Sequence, residues 1–330
     1  MRHGIQCILA LACCVAAGPA VALDVTDTEV AAFIADTSRE HAIDEAWLTS
    51  TLAGAEHKSS IVRAISRPAE RTKPWHEYRD IFMNDRRVRE GAKFWAAHRE
   101  QVESIAGQHG IPPRLLVAIL GVETNYGGNM GGFRVLDALT TLSFGYPPRA
   151  SFFRRELTEF LVLAHAGQLD AEAAVGSYAG AMGAPQFMPS SYVAYAVDAN
   201  DDGRRDLWSD WEDILGSIAN YLAEHGWRPG QAVRAQAQLV DGAAAADLPP
   251  TRLALNHEIG ELRALGLDFA TDLRDSDPAV FMQLDGDEGK EYWVGFHNFY
   301  VITRYNHSVL YAMAVDTLGR AIEQRLNAAL

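Results

Sequence analysis

Cysteine is the scarcest chemistry-bearing residue. The 330-residue chain has three, Cys7, Cys13 and Cys14. Removal of the amino-terminal segment after Ala22 leaves no thiol, which excludes disulfides, a cysteine nucleophile and a cysteine-held metal. Positive charge is also short: 29 Lys and Arg stand against 43 Asp and Glu, a formal charge of −14 that becomes −15 without Arg2. Binding a polyanion needs a basic footprint, so no nucleic-acid partner is expected. After residue 22 no segment approaches the ~18 uninterrupted apolar residues of a membrane helix. There is no internal repeat, and the only low-complexity tract is the linker-like Gly242 to Ala246. The glycine-rich Gly127 to Gly132 is no phosphate cradle, because no Lys-Ser/Thr follows it and no strand precedes it. No organic cofactor is expected.

What is present describes a globular, exported chain. It is 48% hydrophobic and 22% charged, and its length fits two domains or one elaborated domain. Residues 1–22 read as a secretory signal, with basic Arg2 and His3, an apolar run from Ile5 to Ala17, and a small-x-small site at Ala20-Val21-Ala22. The alternative is a lipoprotein anchored through Cys13 or Cys14.

One stretch organises the rest. Pro112 and Pro113 stand where a helix tolerates proline best, at its start. Leu116, Ile119, Leu120 and Glu123 then share one face at i, i+3, i+4, i+7 spacing, and Gly127 and Gly128 are expected to supply the left-handed stop. A carboxylate on that inward face loses water, and the helix carboxyl end is itself partly negative; both raise its pKa and suit it to general-acid work. The competing reading is a glutamate turned back to solvent at a fraying helix end.

Around this helix the chain divides by pattern. From Asp24 to about Ala106 it is helical and charged, broken by Pro68 and Pro74, after which Tyr78 is either part of a packed corner or a stacking residue. Leu136 to Phe144 and Ser151 to Ala166 read as helices. Asp137, Glu156 and Glu159 on them fall where charges are usually solvated. Gly176 to Pro189 is a small-residue loop enclosing Gln186-Phe187, an amide and a ring suited to a sugar, although tight helix packing accounts equally for its glycines and alanines. From Gln231 to about Val294 short β-like runs surround one amphipathic stretch, Ile259 to Leu267. Asn298 to Leu326 returns to helical periodicity.

Asp198-Ala199-Asn200-Asp201-Asp202-Gly203-Arg204 matches the D-x-[DN]-x-[DN]-G calcium loop, with oxygen ligands at positions 1, 3 and 5 and the carbonyl at position 7. Position 12 is Ser209 rather than Glu; Ser209 also opens a capping box with Glu212, and Asp213 is placed to close the coordination sphere. A bound, structural Ca2+ is expected; the alternative is an Asp-rich turn.

Three segments together resemble the family of membrane-bound lytic murein transglycosylase B, bacterial envelope enzymes that cleave peptidoglycan. They are Val117 to Thr124, Gly176 to Tyr192 and Tyr300 to Ser308, and the likeness runs from about Trp75 to the carboxyl terminus. The resemblance implies a mainly α (α+β) chain: a lysozyme-like core, a helical amino-terminal domain and a small inserted β domain. The corresponding boundaries are 23–106 for the helical domain (completed by 312–330), 107–228 for the core (resumed at about 297–311) and 229–296 for the insert. It implies Glu123 as the single acid then base, and Ser177, Gln186 and Phe187 as contacts to acetamido groups and sugars. Tyr78, Arg149, Phe152, Tyr305 and Asn306 are implied as further contacts, and Asp198, Asn200, Asp202, Arg204 and Asp213 as calcium ligands. Where the family often has two adjacent arginines, this chain has Pro148-Arg149. The implied partners are peptidoglycan glycan strands and proteins of cell-wall synthesis or remodelling, in the periplasm. A hydrolytic muramidase would need a second carboxylate such as Asp137 or Glu156. A non-catalytic, calcium-stabilised glycan-binding protein would not need Glu123.

Overall fold

The computed structural model describes residues 21–66, 73–245 and 248–328. The secretory signal and its cysteines fall almost wholly outside the described residues, as does Pro68. The helices in chain order are α1 (Thr28–His41), α2 (Glu45–Ala53), α3 (Ser59–Ile65), α4 (Trp75–Phe82), α5 (Asp85–Ala97), α6 (Arg99–His109), α7 (Pro113–Thr124), α8 (Val135–Gly145), α9 (Ala150–His165), α10 (Pro189–Tyr195), α11 (Trp211–Glu224), α12 (Ile259–Ala264), α13 (His297–Tyr305) and α14 (Val309–Asn327). The strands are β1 (Val21–Ala22), β2 (Glu56–His57), β3 (Phe133–Arg134), β4 (Val175–Gly176), β5 (Arg234–Leu239), β6 (His257–Glu258), β7 (Leu267–Asp268), β8 (Pro278–Asp285) and β9 (Lys290–Gly295). The described residues are therefore mainly helical, with one five-stranded sheet and two two-stranded pairs (β1 with β2, β3 with β4), as the resemblance implies. Two compact units emerge: described residues within 73–126 and 218–328 form one, and those within 21–66 and 127–217 the other.

In the first unit α7 is the central rod. Pro112 is its N-cap and Pro113 its first residue. Leu115 through Leu120 are all fully buried, so this helix is enclosed on every side rather than along the single stripe its spacing predicts. Helix α14 packs on α7, α5 and α4. The five-stranded antiparallel sheet, ordered β6-β8-β9-β5-β7, encloses a core of Ala237, Ile259, Leu262, Phe269, Phe281 and Phe296. Two polar ties fix this sheet to helices. Arg234 on β5 makes a buried 2.8 Å ion pair with Asp316 on α14, and Arg79 on α4 reaches Asp287 of the β8–β9 turn at 2.7 Å.

The second unit is built on α8 and α9, with α10 against α9 and α3 and β2 against α8. Strand β3 pairs antiparallel with β4. Asp137 is 3% exposed; it accepts the Glu56 main-chain N–H and two bonds from Arg134. Glu156 is 4% exposed; it accepts both the N–H and the hydroxyl of Ser190. The solvated reading of these two carboxylates is therefore corrected: each is a buried acceptor that satisfies donors from a distant segment.

Local expectations are corrected at three further points. The left-handed stop of α7 begins at Asn125 (φ 51°) and Tyr126 (φ 59°), continues through Gly127, and does not include Gly128. Asp210, not Ser209, caps α11 by accepting from the N–H of Glu212 and Asp213, while Ser209 donates its hydroxyl to Asp206. The helical tail is two helices, broken at 306–308, where the Ser308 side chain caps α14 by accepting from Tyr311 N–H.

Candidate active site

Glu123 lies in the last turn of α7, half-buried. Burial pushes its carboxyl up to about 7, partly offset by a hydrogen bond from Tyr311. That bond runs from the Tyr311 hydroxyl to Glu123 Oε1 at 2.7 Å, and Tyr311 comes from the first turn of α14. Because the phenol donates, Oε1 is the acceptor oxygen of the pair, and Oε2 is left to carry the proton of the neutral acid. Tyr78 on α4 is close enough that the Glu123 charge, added to burial, holds its phenol proton far more tightly than usual. The arrangement supplies a carboxyl that exchanges its proton near neutrality, the property a group needs to act first as acid and then as base.

The other expected contacts in this unit have structural partners. Tyr305 is 8% exposed. It lies between Tyr221, at 4.8 Å between ring centroids, and Tyr311, to which it is nearly parallel at 6.4 Å. The Tyr221 hydroxyl donates to the Arg304 carbonyl at 2.6 Å. Asn306 is buried at the break between α13 and α14. Of these groups, the Tyr305 ring lies directly beside Tyr311.

In the second unit, Ser177 is 6% exposed and its Oγ accepts the N–H of Ala179 at 3.3 Å and of Ala181 at 3.0 Å. With both acceptor positions used, the hydroxyl proton remains to be donated. Gln186 has a left-handed backbone (φ 54°). Its amide donates to the carbonyls of Met130 and Gly183, so the group presents an oxygen acceptor rather than a donor. Gly183 is required there: at φ 65° a Cβ would fall 2.3 Å from the Leu207 carbonyl oxygen. Phe187 is 2% exposed, pairs through its main chain with Met182, and stands edge-on to Tyr195. Its ring is almost wholly enclosed by protein. Arg149 lies over the ring of half-buried Phe152 at 4.6 Å, a cation–π pair that covers one face of that ring.

The 198–213 loop carries hard oxygen donors that accept from its own main chain. Asp198 accepts from the N–H of Asp202 and Gly203, Asn200 from Asp202, and Asp202 from Arg204. Asp213, buried, accepts from Ala199 and Asp206, and burial together with the charges of Asp210 and Asp198 raises its pKa. Gly203 makes the sharp turn at φ 90°. Among the described residues, no group of three or more His, Cys, Asp or Glu side chains is arranged to hold a metal. The donor chemistry fits Ca2+ only if the Asn200 amide oxygen and the Arg204 carbonyl complete the set; a carboxylate that accepts an amide N–H keeps lone pairs for an ion.

Sequence reasoning missed Tyr311. Its signal was a phenol within the apolar run Val309 to Val315, since a buried tyrosine hydroxyl needs a partner. Nothing local identified that partner as Glu123.

Comparison with known proteins places these observations. Residues 26–320 match the family described as Transglycosylase SLT domain. The membrane-bound lytic murein transglycosylase B of Escherichia coli (strain K12) is 41% identical over 299 residues, 88% of this chain and 81% of the relative. The crystal structure of soluble lytic transglycosylase SltB1 from Pseudomonas aeruginosa superposes with a TM-score of 0.85 at 47% identity, covering 90% of this chain and 99% of that one. The Escherichia coli lytic transglycosylase Slt35, solved in complex with calcium, superposes with a TM-score of 0.83 at 39% identity, covering 93% and 96%.

Proposed function

The chain belongs to the transglycosylase SLT domain family, and from that premise we propose how it works on its substrate. It is a lytic transglycosylase acting on peptidoglycan. In our reading Glu123 is the only acid and base. Protonated on Oε2, it gives its proton to the oxygen linking N-acetylmuramic acid to N-acetylglucosamine, and the C1–O bond breaks. The acetamido oxygen of the substrate supports the positive charge at C1, as in glycosidases that use substrate assistance. Glu123, now a carboxylate, takes the proton of the muramyl C6 hydroxyl as that oxygen attacks C1. A 1,6-anhydro ring closes and no water is consumed.

The observation that carries this reading is the Glu123 carboxyl raised to about 7 with one oxygen held by Tyr311. Asp137 and Glu156, the two sequence candidates for the second carboxylate of a hydrolase, are both committed to structural donors. Ser177 is proposed to orient the acetamido group, supported by the proton left on its hydroxyl, and Gln186 to accept from a sugar hydroxyl or amide. Tyr78 and Arg149 are proposed as outer contacts. We further propose that the 198–213 loop binds Ca2+ through Asp198, Asn200, Asp202, the Arg204 carbonyl and Asp213, where the ion would stiffen the loop. The reading also places the protein outside the cytoplasm, exported by residues 1–22. Among the described residues no helix is long and apolar enough to cross a membrane. Mass spectrometry of sugars released from purified peptidoglycan tests the central claim. Anhydro products one water lighter than hydrolytic fragments are expected, and products with free reducing ends would overturn it.

A further inference from the structure

The turn that follows Glu123 is unusual. Asn125 and Tyr126 are consecutive non-glycine residues in the left-handed region, at φ 51° and 59°. A side chain makes that conformation costly, most of all for a bulky residue, and it persists only where the surroundings impose it. Such a turn, two residues from a proton-transferring carboxyl, invites the question of what imposes it.

One face of α5 does. Arg87, Glu90 and Gly91 stand at i, i+3 and i+4 and so lie together on the helix surface. Each meets the end of α7. The Arg87 guanidinium donates from Nη1 to the Gly121 carbonyl at 3.0 Å, one of the last four carbonyls of α7, which lack a partner within the helix. Glu90 Oε2 accepts from the Asn125 amide at 2.9 Å. The Tyr126 hydroxyl donates to the Arg87 carbonyl at 2.9 Å. Room for that phenol exists because position 91 and position 121 are glycine: a Cβ at either would lie 2.5 or 2.7 Å from the Tyr126 oxygen. Three hydrogen bonds from one helix face thus close on residues 121, 125 and 126, bracketing Glu123.

We propose that Glu90, with Arg87, is a positioning residue for the reaction: it locks the Asn125–Tyr126 turn and thereby fixes the direction in which Glu123 leaves α7. The Glu123 side chain has one anchor of its own on α14, through Tyr311. Its backbone is anchored on α5, so the carboxyl is fixed from two helices. The proposal rests on Glu123 being the acid and base, and it adds residues that touch no substrate.

Glu90 is the test position, because its side chain is 32% exposed and also pairs with exposed Arg86 at 2.7 Å. Kinetics of the full chain are measured on soluble peptidoglycan fragments for Glu90→Ala, Glu90→Gln and Arg86→Ala, with rates normalised to the folded fraction. Glu90→Ala is expected to lower kcat roughly tenfold with KM unchanged, as small misplacements of a reacting group do. Glu90→Gln is expected to restore most of the rate, because its carbonyl still accepts from Asn125. Arg86→Ala, which removes only the surface ion pair, is expected to match the unmodified protein. A wild-type kcat in Glu90→Ala, equal loss in Glu90→Gln, or the same loss in Arg86→Ala overturns the proposal. Glu123→Gln separates the two readings. If it stays active, the acid–base assignment fails and this inference with it; if it is inactive while Glu90→Ala is unimpaired, only the inference fails.

Discussion

The Tyr311 hydroxyl donates a 2.7 Å hydrogen bond to Glu123 Oε1 across 188 residues of sequence. The bond stabilises the carboxylate and so works against burial, which raises the Glu123 pKa. A site without Tyr311 would hold its proton to higher pH but would lose the restraint that fixes Oε1 and leaves Oε2 as the oxygen for the proposed proton transfer.

Tyr311→Phe should therefore move the alkaline limb of the pH–rate profile upward. The shift expected from one neutral hydrogen bond is roughly half to one unit. The maximal rate should fall as well, since the carboxyl is less well oriented. A pH–rate profile of kcat on soluble glycan fragments checks this; a limb that stays in place or moves down would show that the bond does not set the pKa.

Glu123→Gln should abolish turnover while glycan binding and the circular dichroism spectrum persist. It also has a stability signature with a definite sign. Glu123 has an ordinary pKa of 4.5 and a folded value of about 7, so between these pH values the folded protein holds a proton that the unfolded chain does not. Wild-type stability should fall relative to Glu123→Gln by about 1.4 kcal/mol per pH unit across that window, and the difference should be constant below and above it. Denaturant unfolding at pH 4, 6 and 8 measures the difference; a gap that does not vary with pH would mean the carboxyl is not buried in its charged state.

Asp137→Ala and Glu156→Ala should behave as structural variants. Each removes a buried acceptor from part-buried donors (Arg134 and the Glu56 N–H in one case, Ser190 in the other), at a cost of about 1–3 kcal/mol for each variant. Thermal melts should show the loss, and the folded fraction should still release anhydro products. Complete loss of turnover with an unchanged melt would instead identify a second catalytic carboxylate.

Calcium should raise the melting temperature in proportion to the logarithm of its free concentration, by linkage of binding to folding. Chelation should lower the midpoint, and Asp198→Ala should make it insensitive to both treatments. A midpoint that never responds would reduce the 198–213 segment to a turn held by its own amides.

Much of this was legible in the sequence because it is written locally. Apolar spacing and the two prolines located α7 and Glu123, since burial of a helix and the tolerance of proline at its start depend only on nearby residues. The runs that became α8, α9, β8 and β9 carried their periods within a few residues. The same kind of reasoning misjudged Asp137 and Glu156, because a carboxylate on a helix looks solvated until the donor it serves arrives from elsewhere.

The sequence by itself determined which carboxylate stands as the proposed acid and which elements would carry it. Tertiary structure alone decided how that carboxyl is tuned and aimed. Tyr311 from α14 sets part of its pKa, and Glu90, Arg87 and Gly91 from α5 impose a left-handed turn beyond it that neither asparagine nor tyrosine favours unaided. Propensity and periodicity act over one or two turns of chain. Desolvation and the partners of a buried polar group depend on segments tens to hundreds of residues away, and only the packed structure brings those together.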